Sequence, residues 1–213
     1  MTEVLARTFP TSTVVRRRRG RWVALAVAVT IVAALVAASQ GRVEGEGTGQ
    51  TAVKSDRAEV VRIATPSQEP VFLVSADPGA RVTLLFPLHT TSRLPVRIEE
   101  VVVPGADPEC GWQQDRVLTS LRLGEPFVPF APLWLSRDEV LQVSVSGTFL
   151  PCEPYAAFGS HGTDVAQVRY RPAGLLPRSD DVPLGYDFFW TSEPLADVED
   201  VVTQQAPGLE GTF

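Results

Sequence analysis

Val182-Pro-Leu-Gly-Tyr-Asp-Phe-Phe-Trp190 sets an apolar side chain at every second position, so Val182, Leu184, Tyr186, Phe188 and Trp190 share one side of an extended chain. That period is the mark of a strand with one buried face, because successive strand side chains point to opposite sides. Leu141-Gln-Val-Ser-Val-Ser-Gly-Thr-Phe149 repeats the pattern, with Leu141, Val143, Val145 and Phe149 against Gln142, Ser144 and Ser146. Working outward, Val82, Leu84, Phe86 and Leu88 alternate, as do Val96 and Ile98, and Ala166, Val168 and Tyr170. Val61 with Ile63, the continuous run Pro70–Val74, and Val117, Leu121 and Leu123 complete a set of about eight short segments with turn residues between them. Parity blurs at Val101-Val-Val103, which predicts a bulge or a change of sheet just after Glu100.

No window beyond residue 38 carries a long helical period, and 18 Pro oppose one. The fold class read from the sequence is all-β: an immunoglobulin-like antiparallel β-sandwich over residues 58–192, with a small β-barrel as the alternative. The likeness to immunoglobulin domains is loose. A tyrosine corner wants Tyr two residues before the second Cys, and that position is Leu150. Trp134 does lie between Cys110 and Cys152, but Pro108-Glu-Cys-Gly-Trp112 reads as loop.

Ahead of the sandwich, Trp22 to Ala38 is a 17-residue apolar run whose one polar member is Thr30. At about 1.5 Å per residue a helix there is roughly 26 Å long, near the hydrocarbon thickness of a bilayer. Arg19, Arg21 and Arg42 can extend its reach by lifting their charges to the headgroups. Residues 22–39 are therefore expected to be a transmembrane helix. Arg16, Arg17, Arg18, Arg19 and Arg21 on its N-terminal side are the topogenic signal that holds residues 1–21 in the cytoplasm and sends the rest out. The alternative is a secretory signal cleaved after Ala38, where Val36-Ala-Ala38 satisfies the small-residue rule.

Charge divides the same way. Residues 1–21 hold six Arg against one Glu, net +5; beyond residue 38 there are 13 basic and 24 acidic residues, net −11. The total of −6 thus averages two compartments. The arginine run reads as a lipid-facing signal rather than a nucleic-acid patch. One Lys against 18 Arg and the lack of Asn match a high-GC bacterial genome, and lacking Asn excludes N-glycosylation. Residues 40–57, Gly-rich and without apolar periodicity, are expected to be a flexible linker. Residues 193–213 are expected to be an acidic disordered tail.

The hairpin Val82-Thr-Leu-Leu-Phe-Pro-Leu88, its turn and Leu94-Pro-Val-Arg-Ile98 resemble those of small adhesion-type sandwich domains in bacterial single-pass envelope proteins. Those domains carry an Asn and a Gly in the turn, where this chain has Thr90-Thr-Ser92. The resemblance implies a fold and a location, and no active site comes with it.

Cys110 and Cys152 are the only cysteines, and on the exported side they are expected to form a disulfide. The long loop after Phe149 holds Tyr155, Phe158 and His161, a candidate interaction loop; the alternative is that its aromatics cap the open end of the core. Ser160, His161 and Asp164 are too close in sequence for a catalytic triad, and Gly159-Ser-His-Gly162 is not a nucleophile elbow. His89 and His161 lack the Met of a copper site, and Glu99-Glu100 and Asp180-Asp181 should alternate across a strand. The expectation is a single-pass envelope protein that presents a non-enzymatic sandwich for protein–protein contact or scaffolding. No catalytic residue, metal or cofactor is expected, and the partners are the bilayer through residues 22–39 and an envelope protein. A secreted binding module is the alternative, and an envelope enzyme or metal carrier using His161 the remote one.

Overall fold

The computed structural model describes residues 14–39, 41–45, 50–63, 69–105, 111–122, 124–150, 161–191 and 195; over 14–20, 37–39 and at 161 it describes the backbone alone. Helix α1 spans Val14–Ser39. Twelve strands follow: β1 Val43–Glu44, β2 Ala52–Ser55, β3 Val60–Ile63, β4 Val71–Ser75, β5 Arg81–Thr90, β6 Val96–Val102, β7 Trp112–Ser120, β8 Val128–Pro129, β9 Leu133–Leu135, β10 Leu141–Phe149, β11 His161–Pro172 and β12 Arg178–Thr191.

They form two sheets. One runs β1-β5-β10-β7-β8, with β2 also on β5; the other runs β3-β4-β12-β11-β6-β9. The alternating residues of the long strands meet between them. Leu84, Phe86, Leu88, Val143 and Val145 from one sheet, and Ile98, Val168, Leu184, Phe188 and Trp190 from the other, all have no exposed surface and belong to one core. The all-β, two-sheet expectation therefore holds. Strictly antiparallel pairing does not: β4 lies parallel to β12, Val71 opposite Asp187 and Ser75 opposite Thr191. The direction of β12 is set by its hairpin with β11, so it runs alongside β4 whichever way β4 points.

The bulge on β6 lies earlier than the sequence predicts. Arg169 faces Glu100 while Tyr170 faces Ile98, which makes Glu99 the extra residue. Glu99 and Glu100 then do not alternate. Both stand on the outer face, Glu99 paired with Arg171 at 2.7 Å and Glu100 with Arg169 at 3.0 Å. Asp180 and Asp181 keep their alternation, half-buried and exposed. Strand β7 starts at Trp112, which the sequence reading left in a loop, and ends before Leu121, an exposed residue.

The largest correction concerns residues 40–57. This stretch supplies β1 and β2, with Val43 opposite Thr90 and Val53 opposite Leu84, and buries both valines in the core. The sandwich thus begins at residue 41 rather than 58. Gly41 packs on Ser92, closer than any side chain would permit. The edge of β5 offers unpaired backbone groups along its length, and two short valine-bearing segments satisfy them despite weak local pattern. At the other terminus Leu195, placed by sequence in the tail, is buried; the rest of 192–213 lies outside the described residues.

Helix α1 is apolar all round from Trp22 to Val36, and every described side chain in it is exposed. Among the described residues no helix is long and apolar enough to cross a membrane, so the expected span over residues 22–39 is not established by the fold.

Candidate functional site

The chain comes in from α1 at one end of the sandwich, beside Ser92, and the long loop of interest leaves from the other. That far end is where β10 finishes at Phe149 and β11 starts at His161. Tyr155 and Phe158 lie outside the described residues, as do Cys110 and Cys152. His161 opens β11, with its backbone in register with Trp190. The arginines expected to be topogenic, Arg16, Arg17, Arg18, Arg19 and Arg21, all fall within α1, and Arg21 is exposed.

What the described residues show at this end is an aromatic floor. Trp112 meets Phe188 edge-on at 6.0 Å between ring centroids, Phe188 meets Trp190 at 5.2 Å, and Phe149 lies 6.2 Å from Trp190. All four rings are buried. Such offset and edge-on pairs add about 0.5–1.5 kcal/mol each beyond their area. The Trp112 indole occupies the space where any side chain at position 147 would stand, so Gly147 is required there. In the sequence that glycine read only as a break in the β10 alternation.

Backbone pairing reaches right up to the loop. Trp112 lies opposite Phe149, and the Leu150 amide donates to the Gly111 carbonyl at 3.0 Å. From the other side, the Gly79 amide donates to the Phe149 carbonyl at 2.9 Å and the Ala76 amide to the Thr191 carbonyl at 2.7 Å, which folds residues 76–80 over the strand ends. Gln114, which sequence reasoning passed over, ties the two sheets together. Its Nε2 donates to the Val101 carbonyl at 3.0 Å and its Oε1 accepts from the Val103 amide at 2.8 Å. Gln114 lies on the same side as Trp112 by strand alternation, and Asp115, the extra residue at the β7 bulge, shifts that inward phase relative to Val117 and Thr119. Counted back from Val117, Gln114 falls on the outward phase, and only the bulge brings it inward.

Among the described residues, the perturbed carboxylate near this end is Asp187. Burial pushes its pKa above the usual carboxylate range, and the negative charges of Asp164 and Glu69 push the same way. No group of three His, Cys, Asp or Glu among the described residues is arranged to hold a metal ion. Chemically, the end offers a rigid, aromatic-floored mount for a loop. No family model matches the chain, and no curated protein matches it significantly.

Proposed function

We propose that the protein is a single-pass, membrane-anchored envelope protein, N-terminus inside. It holds a non-enzymatic, immunoglobulin-like sandwich against the outer face and presents the loop of residues 150–161 for contact with another envelope protein. One observation carries the reading: the Trp22–Val36 part of α1 is apolar on every side but for Thr30, is preceded by the arginines of the helix's first turns, and is followed almost at once by the sandwich. A helix hydrophobic all round needs a buried setting, and none of its described side chains has one within this chain. The four rings packed at the strand ends that flank residues 151–160 support the role of that stretch as the presented element.

A disulfide between Cys110 and Cys152 belongs to this reading. The ladder is still paired at Gly111 and Leu150, one residue short of Cys110 and two short of Cys152. Both cysteines lie just past this last pair, outside the described residues, and the expectation rests on their being the chain's two cysteines on the exported side.

Cells expressing the full chain, treated intact with protease, test the topology. Cleavage confined to peptides beyond residue 40 is expected, and protection of residues 60–190 overturns the reading. The mass of the isolated protein separates the anchored form from the secreted alternative, which would start at Ser39.

A further inference from the structure

We infer that the end of the sandwich nearest α1 rests on the bilayer surface through Leu94, Trp134, Leu175 and Leu176. This rests on the membrane-anchored reading above and follows from the correction to residues 40–57. A flexible linker of that length would let the domain stand well clear of the membrane. The structure allows no such clearance, because Gly41 already belongs to the fold, two residues after α1 ends at Ser39. Two residues of extended chain reach about 7 Å. Gly41 is held there by packing on Ser92, and Arg42 by its carbonyl, which accepts from the Thr91 amide at 3.1 Å and the Thr90 hydroxyl at 3.0 Å.

The same end carries an apolar cluster that water alone does not account for. The β11–β12 turn brings Leu175 and Leu176 to its tip, 50% and 56% exposed. The Ala173 amide donates to the Pro95 carbonyl at 2.9 Å, which sets the turn beside exposed Leu94. Trp134 on β9 lies 51% exposed with its ring over Gly174, where a Cβ would come within 2.9 Å of Cη2. Gly174 has φ of +71°, so glycine both permits the turn and makes room for the indole. A Trp flanked by leucines and arginines is the composition of a membrane interface, the ring at the headgroups and the guanidiniums on phosphate.

The charge here fits. Arg93, Arg97 and Arg137 are exposed and make no salt bridge among the described residues. Asp138, beside Arg137, is exposed, whereas three other carboxylates nearby are engaged locally. Glu44 lies 3.4 Å from His89, Glu139 accepts from the Ser136 amide, and Asp180 accepts from the Tyr170 hydroxyl.

Quenching by bromine-bearing acyl chains tests this on the full chain in vesicles of phosphatidylcholine and phosphatidylglycerol. Trp22→Phe removes the helix indole, and Trp112 and Trp190 are buried. The Trp134 signal is then the difference between that chain and the one also carrying Trp134→Phe. Brominated lipid is expected to remove most of this signal. Leu175→Ser with Leu176→Ser, both at exposed positions, should restore it with the thermal transition unmoved. If the chain resists alkaline carbonate extraction and Trp134 ignores bromine, the surface contact is overturned while the anchor stands. If the chain is extracted, both fall. A Trp134 signal that ignores bromine but shifts with protein density assigns the patch to a second copy and overturns the bilayer as its occupant.

Discussion

At the end far from α1 the core closes with side chains: Trp112, Phe149, Phe188 and Trp190 pack together where β10 ends and β11 begins, and Gln114 ties the two sheets together. At the near end the core closes with backbone and one hydroxyl. Residues 41–44 lie along β5, and the Tyr170 hydroxyl donates to Asp180 at 2.5 Å, with the Gly41 carbonyl 3.4 Å away. The difference teaches where each end is robust. Packed rings resist the loss of a polar contact but tolerate no cavity. The near end has less buried ring area, and relies on keeping the incoming chain in register.

Breaking the far end should cost most. Trp112→Ala leaves a cavity among three other rings and is expected to destabilise by about 3–5 kcal/mol, read as the urea midpoint of the domain. Removing the proposed cross-link with Cys110→Ser and Cys152→Ser should cost about 2–4 kcal/mol in the same measurement. Equal midpoints for the oxidised and reduced wild-type protein would show that no such bond exists.

The near end should respond more gently. Val53→Ala strips two methyls from the strand that replaces the expected linker, at a cost of about 1–2 kcal/mol; an unchanged midpoint would return residues 50–57 to a mere tether. Tyr170→Phe should cost about 1–2 kcal/mol. Burial, then the hydrogen bond and charge of Asp180, push the Tyr170 pKa up to about 12. Since the folded value is above the unfolded one near about 10, the stabilisation is complete below pH 10 and fades as pH rises toward 12. Tyr170→Phe should remove that part of the alkaline loss, followed by phenolate absorbance and midpoint together.

Asp187 gives the smallest and oppositely signed effect. Its raised pKa means that the folded state holds a proton more tightly than the unfolded chain does, so its contribution falls as pH rises through the carboxylate range. Asp187→Asn should therefore raise the midpoint at pH 7 slightly and leave it unchanged near pH 3.

How much of this was legible beforehand depended on strand length. The long strands β5, β10, β11 and β12 announce themselves, because a period of two repeated over three to five apolar residues outweighs any local alternative. Strands β1, β2, β8 and β9, of two to four residues, carry too few positions to show a period. Two of them also sit in a Gly-rich segment whose composition argues the other way. The bulges at Glu99 and Asp115 were similarly hidden, since an extra residue is defined only against a partner strand. At the candidate site the sequence pointed to the loop and its cysteines, while the ring floor, Gly147 and Gln114 emerged only from packing.

Sequence alone determined the all-β class, the charge division and the isolated apolar helix, because each depends on composition or on a period within one segment. Tertiary structure decided which edges were filled and how closely the sandwich follows the helix. Those outcomes depend on backbone groups of distant strands needing partners, a demand that no local stretch of sequence records.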